Sequence, residues 1–212
     1  MILCINTACF PFGIALFDKG QLSASRYPID GQSLSENLIS QLHDLTRPFG
    51  GLRQLSGIAC LKGPGRYISL RIGSTTVRTI AQIFDIPIRG FCSLTCMAMP
   101  YRFHAGLYMS ILPSYASHYH VRLFGSDGMT LQPKTSLMHL DHDRLCQHLS
   151  AYKKEVSVIC NSDCSFSKQF DHQPWIRFLT CDSHLQNLLA CYLDIPSHHT
   201  SWRELDLVYQ EH

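Results

Sequence analysis

The chain has 212 residues, enough for one large domain or two small lobes. Eighteen Lys and Arg against sixteen Asp and Glu give a formal charge of +2, which argues against a protein whose main task is gripping phosphate backbones with a basic face. With 45% apolar and only 16% charged residues the chain can bury a full core, which excludes a disordered chain and leaves room for a face covered by another protein.

In chain order, Ile2–Ile5 reads as a short strand. Gly13–Phe17 follows, and Asp18-Lys19-Gly20 turns it into Gln21–Tyr27, a hairpin. Pro28, Asp30 and Gly31 break the extended run, and Ser33 with Glu36 three residues on forms a capping box. The helix it opens runs to about Leu45 on the stripe Leu34, Leu38, Leu42 and Leu45. After Arg47-Pro48-Phe49-Gly50-Gly51 comes a strand at Ser56–Leu61, the turn Gly63-Pro64-Gly65, and a second helix from about Leu70 to Phe84. A strand at Ile86–Phe91 and a short helix capped by Ser93 complete a first lobe, residues 1–100. The second lobe, residues 101–212, repeats the grammar: strands at Leu107–Leu112, His118–Phe124 and Met129–Gln132, a helix across Leu137–Leu149, a strand at Val156–Cys160, and a helix at His184–Leu193 that packs back on the first lobe. Three strands, a helix, a strand and a helix in each half predict an α/β protein with mixed sheets, duplicated in pattern though not in sequence.

The second helix carries two apolar stripes. Gly73, Val77, Ile80, Ala81 and Phe84 form the one expected against a sheet; Ile72, Thr76, Thr79 and Ile83 form another, about a quarter turn away. A helix covering a sheet needs one such stripe. The other is filled by the first helix of this chain, by a partner, or by both.

Two charge-free stretches, Met1–Phe17 and Phe103–Val121, are too polar or too broken for a signal peptide or a membrane helix, so a cytoplasmic protein is expected. The ten cysteines include no C-x-x-C and read as reduced, mostly buried thiols. Twelve histidines offer no H-E-x-x-H. His118 and His120 would share a strand face near His139, Asp141, His142 and Asp143, but exposed polar histidines without a functional metal are the expectation. No G-x-S-x-G marks a serine hydrolase, and Cys164 beside Asp163 and Lys168 reads as incidental. No catalytic residue is expected. Gly63 and Gly65, with Arg71 beyond them, admit two readings: an anion cradle at a helix N-terminus, or a tight turn that needs Gly and Pro for geometry alone.

Ile2-Leu3-Cys4-Ile5-Asn6-Thr7-Ala8, then Gly63-Pro64-Gly65, Tyr67, Leu70-Arg71-Ile72-Gly73, Pro87, Gly90 and Ser93-Leu94, match in order and spacing the motifs of the TsaB (YeaZ) family, which the first half of the chain resembles. The resemblance implies a two-lobed actin/Hsp70/acetate-kinase-like (ASKHA) fold. It also implies a non-catalytic scaffold that binds and activates a TsaD-type threonylcarbamoyl transferase for t6A modification of tRNA at adenosine 37. Further implications are a TsaE-type ATPase reached through the complex, a homodimer when the partner is absent, and only indirect contact with tRNA. The first two helices would form the interface, through Ile39, Leu42, Ile72, Thr76, Thr79 and Ile83. No intrinsic cofactor is implied; ATP or ADP would sit only at a subunit interface, near Gly63, Gly65 and Arg71. Asn6 stands where an actin-like ATPase needs a carboxylate, which argues against autonomous hydrolysis. Arg66, Ile68 and Ser69 depart from the family pattern, as does Leu112-Pro113-Ser114-Tyr115 at the start of the second lobe. The alternative is a glycoprotease-like metallopeptidase or hydrolase; a sugar- or acetate-kinase relative would require the carboxylate that Asn6 replaces.

Overall fold

The computed structural model describes residues 1–29, 34–161, 170, 173–181, 184–194 and 205–206. The described chain divides into two units. The first comprises Met1–Ser93 with most of the last helix and Leu205, the second Leu94–His184; the break thus lies at 93/94, a few residues before the expected 100/101.

In the first unit, β1 (Ile2–Asn6), β2 (Phe12–Asp18) and β3 (Gln21–Ile29) are antiparallel, and β4 (Gly57–Gly63) and β5 (Ile88–Cys92) extend the sheet in parallel, in the order β3-β2-β1-β4-β5. α1 (Leu34–Thr46) and α2 (Tyr67–Phe84) are the crossover helices. Leu34, Leu38, Leu42 and Leu45 of α1 sit with Leu3, Ile5, Ile14 and Leu16 of the sheet in one buried cluster with Val77, Ile80 and Ala81 of α2. Each such leucine contributes roughly 1.5–3 kcal/mol by leaving water. The cap residue Ser33 lies outside the described residues.

α2 starts at Tyr67, three residues before the apolar pattern announced it, because Tyr67 and Ile68 face solvent and add nothing to the buried stripe. It stops at Asp85, whose left-handed φ of 52° lets its backbone N–H close onto the Ala81 carbonyl. α3 (Ser93–Ala98) follows β5.

The second unit holds β6 (Gly106–Pro113), β7 (His118–Ser126), β8 (Leu131–Pro133), β9 (Met138–Asp141), β10 (Val156–Cys160) and β11 (Ile176–Thr180), with α4 (His142–Ser150) before β10. Its order, β8-β7-β6-β10-β11, is that of the first sheet: two antiparallel pairings, then two parallel ones. The duplication expected from pattern is therefore a duplication of topology. One addition is β9, which pairs with the far half of β7. It occupies the first part of the expected Leu137–Leu149 helix. Asp141 explains the switch, since its carboxylate accepts a hydrogen bond from the Arg144 backbone N–H at 2.8 Å and so starts the helix at His142. β11 had no counterpart in the sequence reading. α5 (His184–Asp194) closes the described fold, its Leu185, Leu188 and Leu189 buried.

The cysteine expectation needs correction at one place. Cys160 is disulfide-bonded, while the other eight described cysteines take no part in a disulfide. Burial pushes the Cys60 thiol up to about 12 and Cys4 further, so neither ionises near neutrality. No described helix is long and apolar enough to cross a membrane.

Candidate functional site

The loop between β1 and β2 hangs from one side chain. Asn6 is fully buried; its Nδ2 donates to the Cys9 and Pro11 carbonyls, each at 2.9 Å, and its Oδ1 accepts from the Ala8 and Cys9 backbone N–H groups at 3.1 and 3.3 Å. That uses both donors and both lone pairs of the amide. The turn after β4 is built against this loop. Gly63 takes a φ of +104°, and a Cβ on Gly65 would lie 2.1 Å from the Ala8 carbonyl oxygen. The same oxygen accepts the Arg66 backbone N–H at 2.7 Å. On α2, a Cβ at Gly73 would strike the Thr7 hydroxyl.

Contact geometry thus accounts for the glycines without an anion. A phosphate placed at this turn would meet the Ala8 carbonyl oxygen, a partial negative charge, and find the Asn6 amide already spent. The residues here do not fit the nucleotide of an actin-like ATPase. Arg71 stands apart on the exposed side of α2, donating to the Tyr67 hydroxyl at 3.0 Å with its guanidinium 5.5 Å above that ring.

The outer faces of α1 and α2 differ from this closed turn. α1 packs beside α2, so the second stripe of α2 is partly filled from within the chain: Ile72 leans on the core cluster and Thr76 is half-buried. The remainder is open. Ile83 is 67% exposed and Ile39 59%, and Thr79 is exposed with them. Leu42 does not belong in this set; at 1% exposure it is a core residue, because the stripe it shares with Leu38 and Leu45 points at the sheet. Tyr67 and Ile68, exposed by 55% and 72%, add an apolar patch at the first turn of α2 that the sequence reading missed. Its only sequence signal was two large apolar residues next to a turn.

In the second unit the histidines are less uniform than expected. His118, His139 and His120 stack, the middle ring 4.9 Å from each neighbour. The register places His120 opposite His139, and His118 opposite Asp141, all on one face of β7 and β9. His118 Nδ1 bonds the Ala116 carbonyl at 2.9 Å, and His139 Nε2 bonds Ser114 Oγ at 3.2 Å. His120 is buried with Nδ1 unpaired, and burial, with His139 beside it, lowers it to about 4. His184 is also buried, its Nε2 3.3 Å from Asn161 Oδ1. Exposure is thus wrong as the default for these two. Among the described residues no group of three or more His, Cys, Asp or Glu is arranged to hold a metal ion.

Comparison with known proteins yields likenesses of three kinds: to a family, to a curated relative and to solved structures. Residues 35–124, from the start of α1 into β7, match the family TsaD: tRNA N6-adenosine threonylcarbamoyltransferase. A 107-residue stretch is 35% identical to the tRNA threonylcarbamoyladenosine biosynthesis protein TsaB of Bacillus subtilis (strain 168), covering 50% of this chain and 47% of the relative. The chain thus matches about half the length of that curated relative. Among solved structures, YeaZ from Pseudomonas aeruginosa superposes with a TM-score of 0.77 at 17% identity over 99% of both chains. A Pseudomonas aeruginosa protein described by its similarity to peptidase YEAZ gives 0.75 at 17% identity over 98% of both. At that identity the two structures speak for the fold, an α/β architecture with two mixed sheets of the ASKHA type.

Proposed function

We propose that this chain, which by its matched half and its fold belongs with the TsaB (YeaZ) proteins, is the non-catalytic subunit that docks a TsaD-type threonylcarbamoyl transferase in t6A formation on tRNA. The observation that carries the reading is the exposure of Ile39 on α1 and of Thr79 and Ile83 on α2, two neighbouring helices whose other faces are committed to the core. Isolated exposed apolar residues are ordinary; large ones on both members of a neighbouring helix pair, in a weakly charged chain, offer a face that gains from being covered. The spent Asn6 amide supports assigning the chemistry to the partner, because it leaves no carboxylate for metal or phosphate at the end of β1. A homodimer through the same two helices would compete with the partner, and a TsaE-type ATPase would reach the complex through TsaD.

Thr79→Arg with Ile83→Arg tests the reading. Two desolvated, unpaired guanidinium groups should weaken docking by about 2–5 kcal/mol while leaving the isolated fold intact, since both positions are solvent-facing. Co-purification with a TsaD-type protein, with thermal unfolding alongside, reads the outcome; a double variant that holds TsaD as tightly as wild type removes this interface. A glycoprotease-like metallopeptidase is the second reading. About one tightly held zinc per purified chain would revive it.

A further inference from the structure

We propose that the second unit binds a small zwitterion of the α-amino acid class, between the Arg177 guanidinium and the Glu155 carboxylate. The two line one hollow of about 400 Å³, within the range of small-molecule sites. Strand register builds its floor: Ser157 of β10 pairs with Tyr108 of β6 on one side and with Arg177 of β11 on the other, so the three side chains form a row on one sheet face. This is the face opposite the core that Met109, Val156 and Val158 fill.

One wall is fixed. Tyr101 stacks on Tyr108 at 5.3 Å and 18°, the Tyr108 hydroxyl donates to the His104 carbonyl at 3.0 Å, and the His104 backbone N–H donates to the Tyr101 carbonyl at 3.0 Å. Such a wall is apolar, rigid and already paid for in the free protein. Against it stand two opposite charges that form no ion pair with each other or with any other described group. Both side chains reach solvent, and as two separate charges of opposite sign on one hollow they match a molecule carrying both signs at its two ends. Arg177 offers a planar fork for a carboxylate, Glu155 accepts an ammonium, the Ser157 hydroxyl serves either end, and the tyrosine stack takes an apolar or aromatic side chain.

The test is amide chemical-shift titration of the full chain with L-phenylalanine, and with 3-phenylpropionate and phenethylamine, which keep one charge each. Saturable shifts at Gly106, Ser157 and Arg177 are expected with the amino acid, and affinity weaker by about ten-fold or more, one charged contact or above, for each single-charge analogue. Arg177→Gln and Glu155→Gln should each weaken L-phenylalanine by a similar factor while the rest of the spectrum stays that of the folded chain. No saturable shift with L-phenylalanine, equal binding of the single-charge analogues, or undiminished binding in the folded variants would each overturn the site.

Discussion

Each unit opens with a hairpin at the same place in the same strand order, and the two hairpins are built by opposite means. In the first unit the β1–β2 loop is drawn inward: Asn6 is sealed, four hydrogen bonds converge on its amide, and Gly65 and Gly73 have no side chains so that Ala8 and Thr7 can approach. In the second unit the β6–β7 turn projects outward. Tyr115 at its tip is 90% exposed, and Ala116 and Ser117 hold φ of 53° and 59°, the left-handed pattern of a type I′ turn without its usual glycine or asparagine. One hairpin has lost freedom to internal packing; the other has kept an outward shape at a local backbone cost. A duplicated topology therefore fixes strand order and leaves each unit free to spend its polar groups differently.

Substitutions can break that contrast, starting where packing is tightest. Asn6→Asp, which places a carboxylate there, removes two donors from the buried Cys9 and Pro11 carbonyls and should destabilise the fold by about 4 kcal/mol, read by denaturant unfolding. Gly65→Ala puts a methyl against backbone that cannot swing away, and overpacking of that kind costs about 3 kcal/mol by the same measurement.

The second unit should respond instead to acid. Above pH 6.5 His120 is neutral folded or unfolded, so its environment costs nothing. Between pH 6.5 and about 4 the unfolded chain takes a proton that the folded chain refuses, and stability should fall with pH by up to about 3 kcal/mol. His120→Leu should remove most of that slope in an unfolding series across pH. The smallest effect is a gain: Ala116→Asn with Ser117→Gly relieves the left-handed residues and should stabilise by about 1 kcal/mol, visible as a raised Tm.

What the sequence disclosed follows the same division. α1 was readable because Leu34, Leu38, Leu42 and Leu45 are both its pattern and its buried face, and Gly63-Pro64-Gly65 was readable as a turn. The start of α2 was not, since Tyr67 and Ile68 look outward and periodicity registers only what is buried. Leu42 was expected at the interface only through the family resemblance; the stripe it shares with Leu34, Leu38 and Leu45 is the buried face of α1. β9 was hidden inside a helical expectation because four residues give too little alternation to compete with the Leu145 and Leu149 spacing that follows. The role of Asn6 was half legible. Its lack of charge is in the sequence, but its use as the knot of the loop depends on where four backbone groups converge. The hollow between Glu155 and Arg177 draws on three strands and could not be read from any one of them.

The docking account is tested most directly by titrating a TsaD-type protein with the wild-type chain and with the Thr79→Arg, Ile83→Arg variant, after confirming equal melting temperatures. The account predicts a saturable complex for the wild type and an affinity lower by about a hundred-fold, some 2.7 kcal/mol, for the variant. Equal affinity for the two, with both folded, would contradict it.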